Sequence, residues 1–423
     1  MPPYGNGAIR ISKAGRYPRR HVKCRPTKAG TAESEVLFLL ARTEPDARAL
    51  SRVRDLLRGA LDWQRVLRRA SLHRLLPLLY HNLKEDVHAD IPPSVLLRLR
   101  DSYLRNAARN LRLAMRLKEV LRLLRNRGIE GVPFKGPVLA QEVFGDVALR
   151  QFTDLDVLVP REASWAAVKA LEAQGFVPEI SLTHAQFRSY AARNKSLPMV
   201  NPESGVPLDL HWDLSGDYAR APMTVDSFKA ELEPVDLLGT TFVTLGKKDL
   251  FIYLCLHATM ESWSRLDHLC CVAELVQRQP EVLCPETLER ARQLHLRRCF
   301  LTGCSLIHSV LDAPVPGVLL DRIGRDGHVT AYVRERLKNF WGGNDTDNEK
   351  REGLKFSRQH LLLKDGLGDQ CRYILFLLVS PTIEDWRRLP LPGSLGFLLH
   401  GYRPLRLGMD FARGKAFGLA RGT

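Results

Sequence analysis

Three aspartates have the residue type and spacing of a metal site. Asp154 and Asp156 lie two residues apart at the start of an apolar segment, and Asp209 lies between Leu208 and Leu210 in another. Because side chains alternate along a strand, Asp154 and Asp156 would point to the same face. A buried carboxylate without a partner is costly, so Asp209 needs a cation, hydrogen-bond donors or solvent. If the three carboxylates converge, they would bind Mg²⁺ or Mn²⁺, which prefer oxygen ligands.

An isolated Asp-x-Asp has an alternative interpretation, a turn or a helix cap. The metal site is favoured by the glycine-containing turn upstream of the pair and by the third acid downstream. Two ions about 3.5–4 Å apart would activate an attacking hydroxyl group and stabilise a leaving pyrophosphate.

A strand, a turn and a helix are predicted ahead of the acids. Residues 129–134 form a short apolar run, Lys135-Gly136-Pro137 indicates a turn, and residues 138–144 have a helical pattern. Gly136 would let the backbone approach a triphosphate closely, and Lys135 would add a positive charge beside it.

Three further polar residues lie near these motifs. Arg150, four residues before Asp154, is a candidate phosphate clamp, with a surface arginine as the alternative. His211 and Asp213 alternate with Asp209 and so would share its face, where they could orient a metal ligand or the acceptor. A strand histidine with satisfied hydrogen bonds is the alternative for His211.

The pattern along the chain predicts an α+β fold, with a small sheet-containing unit between two helical regions. Strands are expected at 129–134, 155–159 and about 207–214, and a long helix is expected from a cap at Ser94 to Gly128. The expected organisation is a basic flexible tail (1–33), an N-terminal helical region (34–128), a core (129–215), a connection (216–245) and a C-terminal helical region (246–423).

Composition narrows the class of protein. With 45% hydrophobic and 26% charged residues, the 423-residue chain is neither collagen, coiled coil nor wholly disordered. The net charge of +16 would attract polyanions, so a nucleic-acid partner is consistent with it but not required. We expect no membrane span, because no apolar run approaches about 20 residues. No secretion signal is evident and the eight cysteines form no Cys-x-x-Cys pair, which favours reduced thiols in the cytoplasm.

The motifs together resemble the uncharacterised bacterial nucleotidyltransferase family of the DNA polymerase β superfamily. The resemblance extends over about residues 34–408 and is specific only when the motifs are taken jointly and in order. Its central motifs are Gly-Val-Pro-Phe-Lys-Gly-Pro (131–137), Leu-Arg-Gln-Phe-Thr-Asp-Leu-Asp-Val-Leu-Val (149–159) and Leu-Asp-Leu-His-Trp (208–212). Its outer motifs are Asp62-Trp63, residues 70–73, Leu256-His257 with residues 263–266, and Pro381-Thr382, Asp385-Trp386 and residues 404–407.

The resemblance implies a nucleotidyltransferase core with a short mixed sheet backed by helices. In such a core Asp154 and Asp156 would carry both metals, and Asp209 would support the catalytic one. Lys135-Gly136 occupies the place of the nucleotide-gripping turn, where the wider superfamily generally has Gly-Ser or Gly-Gly. The family commonly has an acid at the position of Cys271, so activity here could differ if that acid touches the acceptor.

Two functions follow as hypotheses. The first is a metal-dependent enzyme that transfers a nucleoside monophosphate, with AMP from ATP as the default, to an unidentified small molecule, peptide or protein and releases pyrophosphate. The alternative is a non-catalytic module that binds nucleic acid or a protein on a degenerate core. Retention of all three acids favours the enzyme.

Overall fold

A five-stranded mixed sheet lies at the centre of the molecule. The computed structural model of the protein describes residues 31–84, 90–341 and 359–413. The strands are β1 (Val132–Pro133), β2 (Leu155–Leu158), β3 (Val177–Pro178), β4 (Ser196–Asn201) and β5 (Val206–His211). Their order is β1-β2-β5-β4-β3, and only β2 and β5 run parallel. This architecture confirms the predicted α+β class.

The register between β2 and β5 brings distant residues together. Leu155 pairs with Leu208, Asp156 with Asp209, and Leu158 with His211. Every residue of β2 is buried, as expected for a strand covered on both faces. Because paired residues on neighbouring strands share a face, the register sets the Asp156 and Asp209 side chains next to each other.

The segments between these strands are mostly helical. Helix α6 (Gly136–Leu139) continues directly as a π-helix (Ala140–Phe144), and α7 (Ser164–Glu172) and α8 (His184–Ala191) follow. One buried cluster joins the inner residues of the sheet to α7, α8 and the second half of the long N-terminal helix. The predicted strands at 129–134 and 207–214 are shorter in the structure, because each leaves the ladder for a turn.

In the described part of the chain, five α-helices precede the sheet: α1 (Ala32–Leu39), α2 (Ala47–Leu57), α3 (Trp63–Leu72), α4 (Leu76–Leu83) and α5 (Pro93–Asn126). The expected cap at Ser94 is wrong, since the N-cap of α5 is Pro92 and Pro93 is the first helical residue. Proline suits that position because its missing N–H would have no helical partner. Of the basic tail expected over residues 1–33, residues 1–30 lie outside the described residues, and α1 begins at Ala32.

The connection contains a hairpin that the sequence did not indicate. The short α9 (Val225–Phe228) comes first, and strands β6 (Glu233–Asp236) and β7 (Thr241–Thr244) form the hairpin. The hairpin packs on α5, where Arg125 lies 4.9 Å from the ring centre of Phe242. It also contacts β1, because the Thr244 hydroxyl donates to the Pro133 carbonyl at 2.7 Å.

Helices make up the rest of the described chain: α10 (Lys247–Met260), α11 (Leu266–Arg278), α12 (Pro285–Gln293), α13 (Arg297–Leu311), α14 (Gly317–Arg325), α15 (Gly327–Trp341), α16 (Leu367–Val379), α17 (Ile383–Arg388) and α18 (Leu399–Ala412). Short 3₁₀ helices lie at Arg161–Ala163, Gly216–Tyr218, Lys229–Glu231, Pro280–Leu283 and Gly393–Leu398. The largest buried cluster runs through α10, α11 and α13 and reaches Phe38, Val132 and Leu214, so the core crosses the expected regional boundaries. None of the described helices combines the length and apolar composition needed to cross a bilayer.

Candidate active site

Two aspartates and a histidine meet on one face of the sheet. Among the described residues, Asp156, Asp209 and His211 form a group whose ligand atoms all lie within 4.8 Å of one another. Asp156 is 2%, Asp209 9% and His211 4% exposed. Asp209 and His211 share a face because they lie two residues apart on β5, and the parallel register adds Asp156.

A lysine compensates one of the two carboxylates. Lys135, two residues after β1, places its Nζ 2.8 Å from Asp156 Oδ1. Burial opposes both charges, but each partner outweighs it: the pKa of Lys135 lies above its ordinary value and the pKa of Asp156 well below its own. The pair is therefore ionised at neutral pH.

Within the described residues Asp209 has no such ion pair, and its pKa shifts the other way. Burial and the neighbouring Asp156 raise its pKa to about 7, although Lys135 and Lys195 oppose the shift. Two carboxylates held side by side resist a second negative charge unless more positive charge is supplied. Hard oxygen donors with this excess negative charge fit a divalent cation such as Mg²⁺ or Mn²⁺.

His211 is hydrogen-bonded to the same acid. Its Nε2 lies 3.2 Å from Asp156 Oδ1, and the ionised carboxylate can only accept, so the ring donates through Nε2. Burial lowers the pKa of His211 despite that contact, which keeps the ring neutral. Nδ1 is buried and has no hydrogen-bond partner in the part of the chain that the structure describes.

Asp154 lies just before β2 and is only half-buried. Its charge acts on Lys135, Asp209 and Arg150, although its carboxylate lies beyond the group of three. Gly136 has φ +56°, and a Cβ there would lie 3.3 Å from the Asp154 carbonyl oxygen. The turn therefore approaches the backbone that carries Asp154, and a residue without a side chain suits this approach.

Arg150 is held in place by its backbone and its side chain. Its carbonyl accepts from the Asn106 and Asn110 side-chain amides of α5 at 3.2 and 2.7 Å. Its Nε donates to Cys271 Sγ at 3.4 Å, so Cys271 contacts the predicted phosphate clamp.

Asp213 does not join the group on the sheet face. Its Oδ1 accepts from Ser215 N and from Ser215 Oγ, both at 2.9 Å, and from Met223 N at 3.1 Å. These hydrogen bonds fix the turn after β5.

Sequence reasoning assigned no role to three residues around the group. Tyr253 and His257 lie one turn apart on α10, with nearly parallel rings whose centres are 6.0 Å apart. The Tyr253 ring centre also lies 6.0 Å from Lys135 Nζ. Lys195 precedes β4 and acts electrostatically on Asp209 and Asp156, while burial and Lys135 lower its pKa. The spacing of Tyr253 and His257 was a usable signal, but Lys195 stood in a segment with no clear periodicity.

A mixed sheet that carries paired acids on adjacent parallel strands, flanked by helices, is consistent with a nucleotidyltransferase core. The model of a family described as an uncharacterised nucleotidyltransferase matches residues 59–312, which is more than half of the chain. The chain belongs to this family, as its motifs predicted. No curated protein matches it.

Proposed function

We propose that the protein is a metal-dependent nucleotidyltransferase that moves a nucleoside monophosphate, by default AMP from ATP, to an acceptor and releases pyrophosphate. One observation carries the proposal: Asp156 and Asp209 are buried side by side on adjacent parallel strands. Burying two carboxylates side by side costs free energy unless they bind a cation.

The residues of the proposed site would divide the work between metal binding, phosphate binding and orientation. Asp154, Asp156 and Asp209 would hold Mg²⁺ or Mn²⁺, which supplies charge neutralisation at the phosphates when bound. Lys135 and Arg150 would bind phosphate oxygens, and the Gly136 turn would let the backbone approach them. His211 would orient Asp156 through its Nε2–H, as outer hydrogen bonds do for metal ligands.

The acceptor is proposed only as a class: a small molecule, a peptide or a protein with a free hydroxyl or phosphate group. The net charge of +16 also suits a nucleic-acid acceptor. The cytoplasm is the compartment we propose, because the described cysteines are all free thiols.

Nucleotide binding tests the proposal without knowledge of the acceptor. We expect wild-type protein to bind ATP far more tightly with Mg²⁺ than without it. A double variant, Asp154→Asn with Asp156→Asn, should lose this metal dependence, because the amides cannot neutralise the ion. Asp101→Asn, an exposed change on α5, is the control for a lost carboxylate.

The binding-module alternative predicts a different outcome. Salt-sensitive RNA binding that ignores both acids, without ATP binding by the wild-type protein, would contradict the proposed enzyme and support that module.

A further inference from the structure

We propose that Arg74, Arg150 and Arg265, together with His268, form a phosphate-binding pocket beside the three acids. The arginines come from three distant parts of the chain: the turn between α3 and α4, the loop before β2, and the residue before α11. The pocket rests on the proposed function for the reaction at the neighbouring acids, whereas its anion binding can be measured separately.

Two of the arginines have guanidinium N–H donors that no described residue uses. Arg150 uses Nε for Cys271, but its buried Nη1 has no hydrogen-bond partner among the described residues. Within residues 31–84, 90–341 and 359–413, the half-buried Arg74 side chain makes no hydrogen bond or ion pair. Arg74 also has φ +57°, a left-handed conformation that costs a non-glycine residue energy and is common at functional sites.

Three positively charged side chains lie close together here. Arg265 is bonded to Asp267 at 3.0 Å and lies 4.0 Å from Glu261, and the Asp267 and Asp154 carboxylates both act on Arg74 and Arg150. Burial and then the nearby Arg265 lower the pKa of Arg74, which is the effect of a like charge in a poorly solvated place. Such a group is stabilised by a bound anion, and the planar guanidinium matches phosphate geometry.

His268 adds a donor that has no acceptor. The Arg265 Nη2 lies 2.7 Å from His268 Nε2, and because a guanidinium only donates, this nitrogen must accept. The ring is therefore neutral and carries its hydrogen on Nδ1, which is buried and unpartnered within the described chain. Burial lowers the pKa of His268 to about 3, so the neutral form persists at physiological pH. A phosphate oxygen would accept from Nδ1.

The pocket adjoins the acids. Asp154 acts electrostatically on both Arg74 and Arg150. The His257 ring lies 5.6 Å from that of His268 and 6.0 Å from that of Tyr253, next to Lys135. A phosphate here could belong to the triphosphate of the NTP or to a separate phosphorylated acceptor.

Titration with inorganic tripolyphosphate in the absence of metal tests the pocket. We expect Arg74→Gln and Arg150→Gln each to weaken its binding by about tenfold, the worth of one charge-assisted hydrogen bond. Arg322→Gln is the matched control, because Arg322 lines a separate basic groove of about 690 Å³ between α12, α13, α14 and α15. No binding by the wild type, or a loss confined to Arg322→Gln, would overturn the proposal.

Two further arms identify the source of the phosphate. If it is the NTP triphosphate, affinity for ATP with Mg²⁺ should fall in parallel in the two pocket variants. If it belongs to an acceptor, inorganic phosphate should bind ATP-loaded wild type, and the variants should lose phosphate but keep ATP. Either result supports the pocket, and unchanged affinity for both probes overturns it.

Folding and the proposed function are controlled separately. Melting temperatures show whether each variant is folded. If Arg150→Gln is unfolded, the tripolyphosphate affinity of Arg74→Gln alone tests the pocket. Arg74→Lys should restore part of that affinity. Metal-free tripolyphosphate binding should persist in Asp156→Asn. Failure of metal-dependent ATP binding therefore contradicts the proposed function, whereas failure of tripolyphosphate binding contradicts the pocket.

Discussion

Lys135 Nζ lies 2.8 Å from Asp156 Oδ1, so the lysine and any bound metal would draw on the same carboxylate. The two cations differ in what they offer. A lysine is a point charge with three donors, whereas Mg²⁺ demands oxygen ligands at about 2.1 Å. We therefore expect Lys135 to turn from Asp156 towards a phosphate when both metal and nucleotide are bound.

Lys135→Met should have opposite effects on the two ligands. Loss of one phosphate contact should weaken ATP binding with Mg²⁺ by about 1–3 kcal/mol. Affinity for Mn²⁺ alone should rise, because Asp156 Oδ1 is released. Calorimetric titration of both ligands checks this, with Lys338→Met, an exposed change on α15, as the control. Unchanged ATP affinity would contradict a phosphate-binding role for Lys135.

At the scale of elements, the turn between β1 and α6 sets the position of Asp154. Gly136→Ala should destabilise the protein by about 1–2 kcal/mol, since φ +56° is unfavourable for alanine. The new Cβ would also press on the Asp154 carbonyl oxygen, so metal-dependent ATP binding should weaken.

Gly128→Ala is the matched control for that prediction. Gly128 has φ +71° after α5, but a Cβ there meets nothing within 4 Å. Chemical denaturation should give both variants a similar loss of stability, whereas only Gly136→Ala should change ATP affinity. Equal ATP affinities would contradict the contact between the turn and Asp154.

Elements with a strong local pattern were predictable, and those defined by pairing were not. The apolar run of β2 and the long α5 were evident from the sequence. Strand β4 was missed because Pro198 argues against a strand inside a sheet. In the structure the Pro198 carbonyl accepts from the Glu179 N–H on the β3 side. Because the N–H and C=O of one residue point to the same side of an antiparallel strand, the N–H that proline lacks would also face β3, a short edge strand.

The candidate site divides in the same way. Asp156 and Asp209 were identified from their types, their apolar flanks and the family motifs. Their contact depends on the β2–β5 register, which no local spacing specifies. Arg265 belongs to the outer motif at residues 263–266 but received no role, and Arg74 and His268 lie in helical regions, where charged residues usually face solvent.

At the scale of the molecule, the C-terminal helices close over the sheet through one buried acid. Asp385 is fully buried and accepts from Arg403 at 2.9 Å and from Arg406 at 2.5 Å. The adjacent Trp386 lies against Tyr190 of α8, with ring centres 6.4 Å apart. This contact joins the chain beyond residue 312 to the matched family region.

Asp385→Asn should lower the free energy of unfolding by about 3–5 kcal/mol, because two buried arginines lose their counter-charge. Asp410→Asn is the control, since Asp410 also pairs with Arg406 but is partly exposed, and should cost about 1 kcal/mol or less. Despite burial, Arg406 holds the pKa of Asp385 below 3.8. The advantage of the wild type in denaturation experiments should thus persist above that pH and shrink as the pH falls below it.

We propose above all that Asp156 and Asp209 hold the metal that serves an NTP. Anomalous diffraction from crystals grown with Mn²⁺ and a non-hydrolysable ATP analogue tests it most directly. We expect a Mn²⁺ peak about 2 Å from carboxylate oxygens of both aspartates, with the triphosphate between that ion and Lys135. An ordered analogue bound elsewhere, with no Mn²⁺ peak at these carboxylates and the Lys135–Asp156 contact intact, would contradict it.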